Sequence, residues 1–234
     1  MQKKSTKLFL FDIDGTLMSS NLAGSRSFLR SCREVLGLVG EVDGVLMAGK
    51  LDRVIFQEIA ETFRPELTER ELADYWPRFK KGYIEYLRAE SKDPEGWTLM
   101  PGVKKLLEHC SSLGKMALLT GNVREGASIK LKTLGVAGYF PTGGFGEDLI
   151  SRNRLAELAF KQAREYFGID FSSIFTYVIG DTVRDVEAGL SIGARTIAVA
   201  TGTVSFAELQ DAGADLTVGN FDTGAEEIKE FLGE

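Results

Sequence analysis

In the stretch FLFDIDGTLM, Phe9 to Met18, an apolar run ends in two carboxylates one residue apart, Asp12 and Asp14. If strand geometry continued through them, period-2 alternation would send both side chains to the same side. Two negative charges held that close raise each other's pKa unless a cation intervenes. Similar sets of residues follow other apolar runs. KMALLT ends in Thr120-Gly121-Asn122, and IFTYVIG ends in Gly180-Asp181-Thr182, with Asp185 three residues on. Small glycines and oxygen-bearing side chains of this kind suit Mg²⁺, which keeps water and a substrate phosphate beside one or two carboxylates. Mg²⁺ is therefore the expected cation.

These residues need elements to place them. From Lys115 onward, β-rich runs alternate with helical patterns: KMALLT, then 125–134; IFTYVIG, then 183–192; RTIAVA, then 205–212; and DLTV before a helix near 225–232. The runs are continuously apolar, as parallel strands covered on both faces should be. With the opening strand, Lys7 to Asp12, they predict an α/β fold: a doubly wound, mostly parallel sheet with a Rossmann-like core. Ligands of such sheets bind beyond the carboxyl ends of the strands, where the acids above fall.

Between Met18 and Glu95 helical patterns replace strand signals, over 25–36, 51–62 and 68–89. The last opens with Thr68 three residues before Glu71, a capping-box spacing. AESKDPEG then reads as a linker. The expected organisation is a catalytic core of 1–17 and 96–234, with 18–95 inserted as a helical cap. Tyr75, Trp76, Phe79, Tyr83 and Tyr86 have helical spacing and read as cap core. His109 reads as a helix residue near a C-terminus, and Cys32 and Cys110 as core thiols.

Composition narrows the function classes. The 234 residues are 44% hydrophobic, enough for a full core, and 28 basic against 34 acidic residues leave a net charge of -6. Without a Lys/Arg-rich block, nucleic acid is not expected as a partner. No apolar run approaches the ~18 residues of a membrane span. The run after MQKKSTK is too short for a signal peptide, and two cysteines make no disulfide framework. A cytoplasmic protein with no membrane partner is expected; its oligomeric state is not legible.

The chain resembles the haloacid dehalogenase superfamily in its phosphatase branch. DIDGT matches that family's first motif, Thr120 its second and GDTVRD its fourth, each at a strand end. The resemblance implies Asp12 as nucleophile, Asp14 as acid and base, and Thr120, with Gly121 and Asn122, as phosphate binders. It further implies a metal site made by Asp12, Asp181 and the Asp14 carbonyl, with Asp185 orienting it. For the third motif, a basic residue opening a helix, Arg152 stands where the lysine would fall, and Arg154 stays open beside it. MAGKLDRV is similar to a Gly-x-Thr-Asp loop that phosphoglycolate-phosphatase relatives place over the active site, with Leu51 in place of Thr. Gly49, Asp52 and Arg53 are thereby expected on the cleft.

The implied activity is Mg²⁺-dependent hydrolysis of a small phosphorylated metabolite through an aspartyl-phosphate. Alternatives are a sugar-phosphate phosphotransferase or mutase, which typically uses a cap His absent from 18–95, and a non-catalytic phosphate-binding protein of this fold. A dehalogenase would need no acid at Asp14.

Overall fold

The computed structural model describes residues 7–40, 42, 44–147, 151–169 and 175–233. Ile174, expected to open a strand, and the segment MQKKST lie outside them. The chain runs β1 (Lys7–Phe11), β2 (Met18–Ser19), α1 (Ala23–Leu36), α2 (Asp52–Phe63), α3 (Glu69–Glu90), β3 (Thr98–Leu99), α4 (Val103–Leu113) and β4 (Gly114–Thr120). It continues through α5 (Arg124–Thr133), β5 (Gly143–Phe145), α6 (Arg152–Phe167), β6 (Phe175–Gly180) and α7 (Val183–Ser191). The end is β7 (Arg195–Val199), α8 (Phe206–Asp211), β8 (Leu216–Val218) and α9 (Ala225–Leu232).

Six strands form one parallel sheet in the order β5-β4-β1-β6-β7-β8. The expected doubly wound α/β core is therefore present. Each face of β1 is buried, which explains its unbroken apolar run. Leu8 and Leu10 pack with Ala117, Leu119 and Val178 under the alanines of α6. Phe9 and Phe11 face the other way, toward α4 and the larger cluster. Later strands pair to both sides of β1, so the strand order switches there and opens a crevice at its carboxyl end.

Between β2 and β3, which pair antiparallel, lies a block of three helices. Its interior is aromatic. Phe28 of α1 meets Phe79 and Tyr83 of α3, with ring centroids 4.6 and 5.3 Å apart, and Phe56 of α2 lies 4.8 Å from Phe79. Such edge and offset contacts add to the area they bury. Gly82 lets α1 come close to α3, because a Cβ there would stand 2.7 Å from Ser31 Oγ. The expected capping box forms at Thr68, which accepts from Glu71 N while the Glu71 carboxylate accepts from Thr68 N.

Candidate active site

Asp12 and Asp14 follow β1 and both face the crevice at its carboxyl end. β1 ends at Phe11, and the backbone then turns, with Gly15 N donating to Met18 O and Met18 N to Ile13 O. This turn requires Gly15 at φ 83°, a left-handed conformation easy for glycine. The two acids take different partners. Asp12 is buried and accepts from Arg152, whose Nη2 lies 3.1 Å from Asp12 Oδ1. Asp14 is half-exposed, and its carboxylate accepts from Lys130 Nζ at 2.6 and 2.8 Å and from Asn122 Nδ2 at 2.8 Å. Both line one cavity of about 440 Å³ at the crevice. Thus each acid carries its own protein cation.

Asp181, after β6, completes a carboxylate cluster. One oxygen each from Asp12, Asp181 and Asp185 lies within 4.8 Å of the others. Burial drives the Asp181 carboxyl up to about 8, and the Asp185 and Asp12 charges add to the rise. Burial likewise raises Asp12, to about 6, partly opposed by Arg152. One arginine among three carboxylates leaves the cluster short of counter-charge, which is what a hard cation would supply. Glycines make the space. A Cβ on Gly15 would lie 2.3 Å, and one on Gly202 1.8 Å, from Asp181 Oδ2, while Oδ1 accepts from Thr16 Oγ1 at 2.8 Å.

Asp185 already has partners on both oxygens. Oδ2 accepts from Thr182 N and Oγ1, closing the capping box of α7, and Oδ1 accepts from Arg152 Nη2. Arg152, the first residue of α6, is thereby fixed between Asp12 and Asp185. Burial opposes its charge, but the two carboxylates outweigh that and raise its pKa. Of the two arginines left open in the sequence, Arg152 is the buried one beside Asp12, whereas Arg154 pairs with Glu157 on the surface.

The loop after β4 is crowded with internal contacts. Thr120 Oγ1 is buried and accepts from Asn122 Nδ2, while Asn122 Oδ1 accepts from Lys130. Gly121 is where the three-helix block meets the sheet, because a Cβ there would stand 2.1 Å from the Lys50 carbonyl. Asp52 ties the same junction at both ends. Its N–H donates to Gly121 O, and its Oδ2 accepts from Val123 N, each at 2.8 Å. Burial pushes the Asp52 carboxyl up to about 7.

Gly49 and Asp52 line the cavity, as expected. Arg53 takes a different place, its guanidinium lying 4.9 Å from the centre of the Trp76 ring rather than on the cavity wall. Lys130 was not anticipated. It falls on the buried stripe of α5 with Ala127 and Leu131, and a lysine on such a stripe is the sequence signal. Gly202, and Thr201 whose Oγ1 donates to Gly15 O at 2.6 Å, had no comparable signal.

A parallel sheet with carboxylates gathered at its topological switch, beside a helical block, defines an α/β protein with an acidic site at its strand ends. A family model described as haloacid dehalogenase-like hydrolase matches residues 6–193. The chain belongs to that family. No curated protein matched it. Among solved structures it is similar to a predicted phosphatase from Clostridium acetobutylicum, with TM-score 0.71, 20% identity and coverage of 97% of this chain and 99% of that one. A predicted phosphoglycolate phosphatase from Haemophilus somnus 129pt gives 0.70 and 20%, covering 97% and 99%. CbbY from Rhodobacter sphaeroides, in complex with phosphate, gives 0.71 and 18%, covering 93% and 95%. At these identities the likeness shows the fold.

Proposed function

We propose that this protein is a Mg²⁺-dependent phosphatase that hydrolyses a small phosphate monoester through an aspartyl-phosphate. The carrying observation is Asp12, held by Arg152 at the switch point and clustered with Asp181 and Asp185. The donor set is all oxygen, as Mg²⁺ prefers, and its raised carboxyls favour a cation. Asp12, Asp181 and the Asp14 carbonyl would hold it, with Asp185 fixing the arrangement through Arg152. Once bound, Mg²⁺ supplies charge neutralisation on the phosphoryl oxygens.

The chain's own groups divide the rest. A carboxylate oxygen of Asp12 attacks phosphorus, and the bond to the ester oxygen breaks as the new bond forms. Asp14 gives its proton to the departing alkoxide, then takes one from the water that attacks the phosphoenzyme. Lys130 and Asn122 hold the Asp14 carboxylate in place. The 18–95 block serves as a cap that excludes water from the crevice. The phosphatase and phosphoglycolate-phosphatase descriptions of the similar structures support the reading. One of them is described as a β-phosphoglucomutase, but 18–95 contains no histidine.

The test is a panel of phosphate esters with and without Mg²⁺. Release of phosphate only with the metal is expected. Silence across the panel with Mg²⁺ present would favour a non-catalytic phosphate-binding protein.

A further inference from the structure

The cavity wall holds its charged groups in pairs. Its cations, among the described residues, are Lys50, Lys130 and Arg152. All three are engaged with carboxylates: Lys50 with Glu58 at 2.5 Å, Lys130 with Asp14, and Arg152 with Asp12 and Asp185. The same wall carries four acids, Asp12, Asp14, Asp52 and Asp181. A second anionic group on a substrate, beyond the phosphate, would find no uncommitted cation among the described lining residues. Leaving such a group unpaired in a partly desolvated cleft is costly.

The remaining wall is neutral and mixed, with Leu22, Phe28, Met47, Ile55 and Met100 set beside the hydroxyls of serines and threonines. Leu22 is unusual. It sits at φ 64° between β2 and α1, a left-handed conformation unfavourable for a leucine, and is 70% exposed at the cavity. Strained backbone and exposed apolar surface coincide at one cavity-lining residue. A substrate's apolar part would cover it.

Resting on the phosphatase reading, we infer that the substrate is a monoester whose alcohol is uncharged and partly apolar, with Leu22 contacting that alcohol. Carboxylate-bearing esters such as phosphoglycolate are then poor substrates, although one similar structure carries that description. The reaction releases a neutral alcohol and inorganic phosphate, with water supplying the oxygen and protons.

Three esters with saturating Mg²⁺ test this: phosphoglycolate, 2-hydroxyethyl phosphate of nearly equal size, and n-butyl phosphate. The expected kcat/KM is at least about tenfold higher for the hydroxyethyl than for the glycolate ester, with butyl phosphate highest. Leu22→Asn keeps a residue that tolerates the left-handed conformation while removing the apolar surface. It should lower the butyl to hydroxyethyl ratio without lowering Tm. Phosphoglycolate turned over as fast as its neutral counterpart would overturn the inference and leave the phosphatase reading standing. An unchanged ratio in Leu22→Asn would overturn the contact with Leu22. Failure to hydrolyse any ester across these and the broad panel would overturn both readings.

Discussion

Lys130 Nζ lies 2.6 Å from one carboxylate oxygen of Asp14 and 2.8 Å from the other, and the lysine is almost fully buried while the acid faces the cavity. The pair joins α5 to the turn after β1, with Asn122 bonded to both members. In the proposed reaction Asp14 meets the departing alkoxide, and Lys130 behind it would hold its direction. Lys130→Met keeps the packing of the stem and removes the aim. We expect kcat to fall about 10²-fold with KM little changed, and alkyl esters to suffer more than aryl esters. Equal losses for both ester classes would show that Lys130 only supports the fold.

Asp181 tests the metal. Asp181→Ala should reduce Mg²⁺-dependent turnover roughly 10²–10³-fold, as loss of a charge-stabilising group does. A second readout is independent of activity. Removing a buried carboxylate from an uncompensated cluster should leave the metal-free Tm at or above wild type, and Mg²⁺ should no longer raise it. Retention of the full Mg²⁺-induced rise in Tm would remove Asp181 from the site.

Asp52 makes the junction pH-dependent. Its carboxyl titrates near 7 in the folded protein because of burial, against about 4 in an unfolded chain. Between those values the folded state holds a proton that the unfolded state has lost. Stability from this group is therefore greatest near the lower value and is lost as pH rises toward the upper one. Asp52→Asn can still accept the Val123 N–H and has no charge to desolvate. In metal-free buffer its Tm should decline less than wild type between about pH 5 and pH 8. Parallel declines would exclude Asp52 as a source of the slope.

Much of this was legible because parallel strands leave long apolar runs and the acids follow them directly. β1, β4, β6 and β7 announce themselves, and Asp12, Thr120 and Asp181 fall at their ends. β5 does not. Its sequence is Gly-Gly-Phe, and the glycines are there for close packing, since a Cβ at Gly143 or Gly144 would stand 2.6 Å from Leu118 Cβ or 2.8 Å from Ala159 Cβ. Such packing exists only in the folded chain. The partners of Asp12 and Asp14 were also hidden, because alternation says which side the acids face and not which cations, Arg152 and Lys130, reach them. Lys130 is intermediate: its stripe was readable, but its partner lies 116 residues away. Arg53 stands beside the Trp76 ring, a contact between α2 and α3 that its nearness in sequence to the cavity loop does not reveal.

Whether Asp12 takes the phosphoryl group is read out by single-turnover phosphorylation. With an aryl phosphate and Mg²⁺, Asp14→Asn should accumulate a phosphoenzyme, because the leaving group departs without a proton and the water step lacks its base. Mass spectrometry should place the label on Asp12. In Asp12→Asn no phosphoenzyme should form, since an amide is no nucleophile, although the ester should still bind. A label on Asp12→Asn, or a label on another residue in Asp14→Asn, would contradict the account.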